Sequence, residues 1–138
     1  MSKANPQGID RHGLDATFEA DEIAKSNLIL EGEMLSAQEP DAAANRFARA
    51  AEIEERLGAV CGTQGLANKS WLHLFSAASC WARAGNFYEA ICLADELLAQ
   101  SELPVQLRQR VQEFSQAIRL RRHQWTAGLT LSASAPAE

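Results

Sequence analysis

Apolar residues recur along this chain at spacings of three, four and seven, which is the period of one face of an α-helix. The pattern starts after a polar segment, residues 1–15, that carries Pro6, Gly8 and Gly13 and that we expect to be a flexible leader. It predicts a first helix over residues 16–38. The apolar stripe of that helix contains Ile23, Leu28, Leu30 and Leu35.

A proline in the sequence Glu39-Pro40-Asp41 interrupts the first pattern and suits the first turn of a new helix. The second helix is predicted over residues 41–57, with Gly58 as the glycine that ends it. Three glycines then predict a loop over residues 58–67. A short acidic run, containing Glu52, Glu54 and Glu55, is expected to lie on a solvated face of the second helix.

The second half of the chain predicts three more helices. The third begins after a capping Asn68 or Ser70, includes Trp71 and Trp81, and ends at Gly85. The fourth covers residues 87–101, and the fifth follows Pro104 and runs to about Trp125. Residues 126–138 are rich in small residues, and we expect them to form a disordered tail. The pattern contains no convincing strand, so the predicted fold class is all-α, built from antiparallel helical hairpins.

Length and charge narrow the class of protein further. A chain of 138 residues has the usual size of one domain. The net charge of -5 argues against nucleic acid as the main partner, because phosphate binding needs a dominant basic surface. No apolar run reaches the roughly 20 residues that span a bilayer. The N-terminal residues lack the apolar core of a signal peptide, and the three cysteines form no disulfide or zinc pattern, so we expect a cytoplasmic protein.

No set of residues in the sequence forms a catalytic or metal-binding pattern. The three histidines are scattered, without a second ligand one helical turn away, so no metal or cofactor is expected. Cys80 and Cys92 fall on apolar helix faces and are expected to pack as small hydrophobic residues. Cys61 falls in the predicted loop, and an enzyme that uses this thiol is the competing class of function. We expect a protein that is not an enzyme.

The segment from Arg119 to His123 is the one dense basic patch in the sequence. Two interpretations stay open for it. Cations near the C-terminus of a helix interact favourably with the helix dipole, which would give the patch a structural role. Alternatively, the patch contacts an acidic partner or a phosphate backbone. If it binds a phosphate backbone, the affinity for nucleic acid would fall steeply as the salt concentration rises.

The two predicted helix pairs can be aligned with each other. In this alignment Gly32 falls opposite Ala78, and Ala44 falls opposite Ala90. Two antiparallel helices approach closely only where small residues meet, so we expect Gly32 to cross Ala44 and Ala78 to cross Ala90. Larger residues at equivalent positions, Leu35 and Trp81, would fill the space beside each crossing.

This arrangement resembles the tetratricopeptide repeat family, whose unit is a helix-turn-helix of about 34 residues. The second unit carries the family's small residue, aromatic residue, turn glycine, second aromatic residue and alanine at Ala78, Trp81, Gly85, Phe87 and Ala90. The first unit matches at Gly32, Ala44 and Ala51. It departs from the pattern where Glu39 replaces the turn glycine and Asp41 replaces the aromatic residue, and the glycine-bearing loop makes the spacing between the units too long.

The resemblance implies a function in protein binding. In that family the first helix of each unit lines a groove, and the equivalent positions here are Ile29, Glu33, Ser36, Leu72, Phe75, Ser79 and Arg83. The implied function is an adaptor or scaffold that binds a peptide or helix of a partner protein. The family's lysine and asparagine set for a free C-terminal carboxylate is absent at these positions.

Several alternatives stay open beside the adaptor. One is a small chaperone for a secretion substrate, and another is a regulatory subunit of an enzyme. The fold alternative is an irregular five-helix bundle without a groove. The fifth helix would cap the repeats, because a helical repeat cannot bury its own end face. Self-association through the first or last helix is also expected, with these candidate contacts: Leu28, Leu30, Ile118 and Trp125.

Overall fold

A computed structural model describes the backbone of residues 15–134 and the side chains of residues 15–129. The described residues form five α-helices and no strand, which confirms the all-α prediction. The helices are α1 (Ala16–Leu35), α2 (Pro40–Thr63), α3 (Ala67–Arg83), α4 (Phe87–Leu98) and α5 (Val105–Ser134). Each helix packs mainly on the next one along the chain. None of these helices is both long enough and apolar enough to cross a membrane.

Helix α1 begins at a side-chain cap and buries only part of its predicted apolar stripe. The carboxylate of Asp15 accepts a hydrogen bond of 2.9 Å from the backbone N–H of Phe18, which satisfies one free donor of the first turn. Phe18 and Leu28 are buried, whereas Ile23 and Leu30 are exposed. The predicted stripe is therefore divided between a buried and an exposed part, because only one side of α1 packs on α2.

Helices α1 and α2 cross at Gly32, as the sequence predicted, but with a different partner. A Cβ atom added at Gly32 would lie 2.8 Å from Cζ of the Phe47 ring, so only glycine fits under that ring. The predicted partner, Ala44, is only half-buried. The close approach of the two helices thus places an aromatic ring, rather than a second small residue, against the glycine.

The predicted loop over residues 58–67 is mostly helical. Helix α2 continues through Gly58 to Thr63, and the chain reverses at Gly65, whose φ is +76°. Gly58 has a packing role instead of ending the helix: a Cβ added there would lie 2.9 Å from Cδ2 of Leu74. Gly58 therefore lets α3 approach α2 closely. Helix α2 ends later than predicted, just before Gly65, which adopts the left-handed conformation.

Helix α3 begins at Ala67, before the predicted caps. Ser70 lies inside the helix and is buried, and its hydroxyl donates a hydrogen bond of 2.7 Å to the carbonyl oxygen of Gly58. Ser70 therefore joins α3 to α2 and does not cap α3. The residue that precedes the helix is Leu66, which makes no side-chain capping bond.

The turn between α3 and α4 matches the sequence prediction closely. Gly85 adopts a φ of +83°, a left-handed conformation that favours glycine. The side chain of Asn86 then caps α4 by accepting a 3.3 Å hydrogen bond from the backbone N–H of Glu89. Ala78 and Ala90, the predicted crossing residues of this hairpin, are both buried without exposure.

Helix α5 packs antiparallel to α4 and extends well beyond it. The guanidinium of Arg108 donates to the carbonyl oxygens of Leu98 and Gln100, which fixes the connection between the two helices. Buried side chains at Leu107, Val111 and Ile118 face the body of the protein. The helix does not end near Trp125 but continues to Ser134, so most of the predicted disordered tail is helical. The rest of that tail and residues 1–14 of the predicted leader lie outside the described residues.

Candidate partner-binding groove

Three of the seven predicted groove residues lie together on one face of α3. Leu72, Phe75 and Ser79 are spaced by three and four residues, which places them on the side of the helix that looks toward α5. Leu72 is 51% exposed even though it is a large apolar residue. Phe75 and Ser79 are half-buried. An apolar face of α3 therefore remains open to solvent beside α5.

Two adjoining hollows of about 310 Å³ each lie between α3 and α5. Leu72 and Arg110 border both hollows, so we treat the two as one feature, the α3–α5 groove. The remaining lining residues of the first hollow are Phe75, Ser76 and Ser79. Those of the second hollow are Asn68, Pro104, Gln106 and Leu107.

The floor of the groove is held in place by contacts between rings. Phe75 packs edge-to-face against Phe114 of α5, with 5.4 Å between the ring centroids. The guanidinium carbon of Arg110 lies 5.3 Å from the centroid of the Phe75 ring, in cation–π geometry. Within the described part of the chain, Arg110 has no carboxylate partner at ion-pair distance. The groove thus offers an apolar floor and an unneutralised positive charge.

The other four predicted groove residues have partners inside the protein. Arg83 forms an ion pair of 3.3 Å with Glu33 of α1, and its guanidinium carbon lies 4.2 Å from the centroid of the Phe47 ring. Ile29 packs against a core cluster. Ser36 lies at the end of α1, where its hydroxyl donates to the carbonyl oxygen of Glu33. None of these four side chains lines the α3–α5 groove; Arg83 and Glu33 join α3 to α1, whereas the Ser36 bond lies within the end of α1.

A buried polar network that the sequence did not predict lies behind the groove, centred on Glu54 of α2. The Glu54 side chain is 0% exposed, which contradicts the prediction that the whole acidic run is solvated. Its carboxylate accepts hydrogen bonds from Nζ of Lys25 at 2.9 Å and from the hydroxyl of Ser76 at 2.5 Å. Nδ1 of His73 lies 2.7 Å from the other carboxylate oxygen. Three helices meet at this one side chain.

Opposing effects act on the pKa of Glu54. Burial disfavours the charged carboxylate and by itself would raise the pKa, but hydrogen bonds from His73, Ser76 and Lys25 outweigh burial and lower it. The carboxylate is therefore ionised at neutral pH. Because an ionised carboxylate can only accept hydrogen bonds, His73 must donate from Nδ1. Nε2 of the same ring faces Glu22 at 3.9 Å.

The order of hydrogen bonds in this network differs from that of a catalytic triad and indicates a structural role. The Glu54 carboxylate lies at the centre, and it is bonded both to the hydroxyl of Ser76 and to the ring of His73. A nucleophilic triad requires the imidazole between the hydroxyl and the carboxylate. The sequence contained a signal for the burial: Glu54 lies on the helical stripe that contains Phe47, Ala51 and Cys61, all of which are buried.

The structure also changes the interpretation of the cysteines. Cys61 lies in α2 rather than in a loop, and it packs in a core cluster with Phe18 and Leu57. Burial raises the pKa of the Cys61 thiol, which disfavours the nucleophilic thiolate. Burial, together with the nearby Glu54 carboxylate, raises the pKa of Cys80 to about 11. Both thiols therefore behave as buried apolar groups, and Cys92 is half-buried.

The basic patch does not lie at the end of a helix. Arg119 pairs with Asp95 of α4 at 2.8 Å, and the guanidinium carbon of Arg121 lies 5.4 Å from the ring centroid of Phe87. Helix α5 continues for more than two turns beyond these residues to Ser134. The helix dipole acts mainly within the last turn, so it does not account for the patch.

The four predicted self-association residues separate into two groups. Leu28 and Ile118 are buried inside the chain, which contradicts their use as contacts with another molecule. Leu30 and Trp125 are 57% and 61% exposed. Two of the four residues are thus free to contact a partner.

The described residues contain no group of three His, Cys, Asp or Glu side chains that could hold a metal ion. Compared with models of protein families, with curated proteins and with solved structures, the chain matches none of them. The groove and its residues are therefore the features of this chain that bear on its function.

Proposed function

We propose that this chain is a protein-interaction adaptor that binds a segment of a partner protein in the α3–α5 groove. The observation that carries this proposal is the position of Arg110, whose charge lies over the Phe75 ring beside the exposed Leu72. This combination fits a segment in which an apolar side chain lies near an aspartate or glutamate. A partner of this kind would cover the apolar surface and neutralise the arginine.

Binding would use the two parts of the groove differently. The partner's apolar side chain would be desolvated against Leu72 and Phe75, which supplies most of the affinity. Its carboxylate would pair with Arg110, whose planar guanidinium can donate two parallel hydrogen bonds and so sets orientation. Because Phe114 already holds the Phe75 ring, little ordering of the floor is required on binding.

We also propose that α1–α2 and α3–α4 are two divergent tetratricopeptide-like hairpins and that α5 caps them. The left-handed conformation of Gly85 and the complete burial of Ala78 and Ala90 support this proposal. In that arrangement α3 is the first helix of the second unit, and it supplies one wall of the α3–α5 groove. The three free thiols fit a reducing compartment, and we propose the cytoplasm as the place of function.

A peptide selection tests the proposed groove. A library of displayed peptides is selected on the immobilised full chain, and the affinities of the enriched peptides are measured by fluorescence anisotropy. We expect enrichment of sequences that place an apolar residue near a carboxylate. Affinity should fall by at least about tenfold in Leu72→Asp and in Arg110→Glu, because each change removes one part of the groove.

Two matched variants provide the controls for this selection. Arg49→Glu reverses an exposed charge on α2, and Tyr88→Asp introduces a charge at an exposed aromatic residue on α4, both outside the groove. Each control should bind the selected peptides with the affinity of the unmodified chain. Peptides that bind Arg110→Glu as tightly as the unmodified chain would contradict the proposal, as would a selection that enriches no common sequence.

A further inference from the structure

An apolar stripe on α1 has no partner within the described part of the chain. Ile23, Leu30 and Met34 are spaced by seven and four residues, so they share one face of the helix. All three side chains are more than half exposed. This face, which we call the α1 stripe, lies away from the residues that pack on α2. Contiguous exposed apolar residues of this kind are typical of interaction surfaces.

A second exposed surface lies on α5, the last helix of the chain. Beyond Ile118, every described side chain of α5 is exposed, and we call residues 119–129 the α5 extension. Phe87, the first residue of α4, lies beside Arg121, so α5 projects past the end of α4. Trp125 and Leu129 follow Ile118 by seven and eleven residues. They therefore continue the face that is buried in the body of the protein.

The two surfaces carry opposite charge. Helix α1 has five carboxylates, of which Asp21, Glu31 and Glu33 pair with arginines of α2 and α3, so Glu19 and Glu22 carry its unneutralised negative charge. The α5 extension has three arginines and no carboxylate; Arg119 pairs with Asp95, which leaves the charges of Arg121 and Arg122 without an ion pair in the described part of the chain. Contact between two α1 stripes, or between two α5 extensions, would place like charges together. Contact between one of each brings opposite charges together around apolar residues, which is the arrangement that electrostatic complementarity favours.

The two surfaces also match in length. From Ile23 to Met34 the α1 stripe spans about 16 Å, and the α5 extension spans about 15 Å, at the helical rise of 1.5 Å per residue. Each helix packs mainly on its neighbour in sequence, which separates α1 from α5 within one chain by three intervening helices. A second copy of the chain can supply the missing surface.

We propose that the α5 extension of one copy docks on the α1 stripe of a second copy. Trp125 is the central contact of the extension, and Leu30 is the central contact of the stripe. Arg121 and Arg122 of the patch face Glu19 and Glu22 of α1. Because the two surfaces differ, a closed dimer forms when each of two copies docks its α5 extension on the α1 stripe of the other. Otherwise each copy docks on a further copy, and an open assembly grows. This contact lies away from the α3–α5 groove and stands independently of the proposed peptide binding.

The first test measures molar mass over a range of protein concentrations by sedimentation and light scattering. The unmodified chain should associate as its concentration rises. Leu30→Asp and Trp125→Asp should each raise the dissociation constant by at least about tenfold, because each places a charge at the centre of one surface. Tyr88→Asp, the same kind of change at an exposed aromatic residue on α4, should leave association unchanged.

The decisive test mixes the two defective variants. Leu30→Asp keeps an intact α5 extension, and Trp125→Asp keeps an intact α1 stripe, so an equimolar mixture should form a one-to-one complex. This complex should weaken as salt screens the charges on the two surfaces. A monomeric unmodified chain at the highest concentration would overturn the proposal. So would a mixture that stays monomeric while the unmodified chain associates, because an intact α5 extension would then fail to dock on an intact α1 stripe. Association of either variant alone with the affinity of the unmodified chain would also overturn the proposal, because that result assigns the contact to two copies of the surface that the variant keeps.

Discussion

Glu54 and His73 lie nineteen residues apart in the sequence, and a 2.7 Å hydrogen bond joins the buried carboxylate of one to Nδ1 of the other. The ring of His73 also packs edge-to-face on Phe18, with 5.8 Å between the ring centroids. Lys25 of α1 donates to the same carboxylate. The pair therefore joins α1, α2 and α3 at one buried point, behind the face of α3 that forms the groove.

Removing the charge of Glu54 should destabilise the fold. The variant Glu54→Gln keeps the shape of the side chain but leaves Lys25 without its ionised partner and places an amide opposite donors. We expect the free energy of unfolding to fall by about 2 to 4 kcal/mol, because breaking a buried ion pair from one side leaves the other group unsatisfied. Urea denaturation followed by circular dichroism measures the change. Glu52→Gln, at an exposed position of the same helix, should change stability by less than about 0.5 kcal/mol.

The same carboxylate should make stability depend on acid pH. Its pKa is lowered in the folded protein, so the unfolded chain takes up the proton first as pH falls. The stabilisation is complete above the ordinary glutamate range, near pH 4.3, and is lost as pH falls through the lowered pKa of the folded state. The stability difference between the unmodified chain and Glu54→Gln should therefore be constant at neutral pH and shrink in acid. A difference that does not change with pH would contradict this assignment.

Two glycines of α2 should respond differently to alanine. At Gly58 a new Cβ would meet Leu74 at 2.9 Å, and Leu74 packs against the core, so Gly58→Ala should destabilise by about 1 to 2 kcal/mol despite the better helix propensity of alanine. At Gly62 the nearest atom is the Ser70 hydroxyl oxygen at 3.6 Å. Gly62→Ala should be neutral or stabilise by a few tenths of a kcal/mol. Thermal unfolding of both variants checks this, and stabilisation by both would indicate that residues 58–63 do not pack as described.

The three thiols should differ in their rate of modification. Cys61 and Cys80 are buried and their pKa values are raised, so they should react with a disulfide reagent only when the fold opens. Cys92 is half-buried and should react first. Reaction at mildly alkaline pH should give one fast and two slow phases, and Cys92→Ser should remove the fast phase alone. A fast phase that persists in Cys92→Ser and disappears in Cys61→Ser would restore Cys61 as a candidate nucleophile.

Much of the fold could be predicted from local sequence signals. The number of helices, their order and the turn at Gly85 follow from periodicity and from glycine at a position that needs a positive φ. The errors have a common physical cause. Gly58 and Ser70 looked like signals for a helix end and a helix start, but tertiary packing uses both to bring α2 and α3 together. A local pattern cannot distinguish a glycine that ends a helix from one that permits a close approach.

The candidate site could be predicted only in part for a similar reason. Register placed Leu72, Phe75 and Ser79 on one face, and the structure places all three beside α5. Arg110 could not be assigned to the groove, because its position depends on how α5 packs on α3. Glu54 was assigned to solvent because its neighbours in sequence are acidic, although its position on the apolar stripe indicated burial. Helical position is thus a better guide to burial than residue type at this site.

The most direct test of the central claim maps a selected peptide onto the chain by NMR. Backbone amide shifts of the isotope-labelled chain are followed as the peptide is added to the unmodified protein and to Arg110→Glu. In the unmodified chain we predict shift changes concentrated at residues 72–79 of α3 and around Arg110 of α5, and we expect these changes to saturate as peptide is added. In Arg110→Glu the changes should not reach saturation over the same range of peptide concentration. Shift changes confined to the α1 stripe or the α5 extension, or equal in both proteins, would contradict binding in the α3–α5 groove.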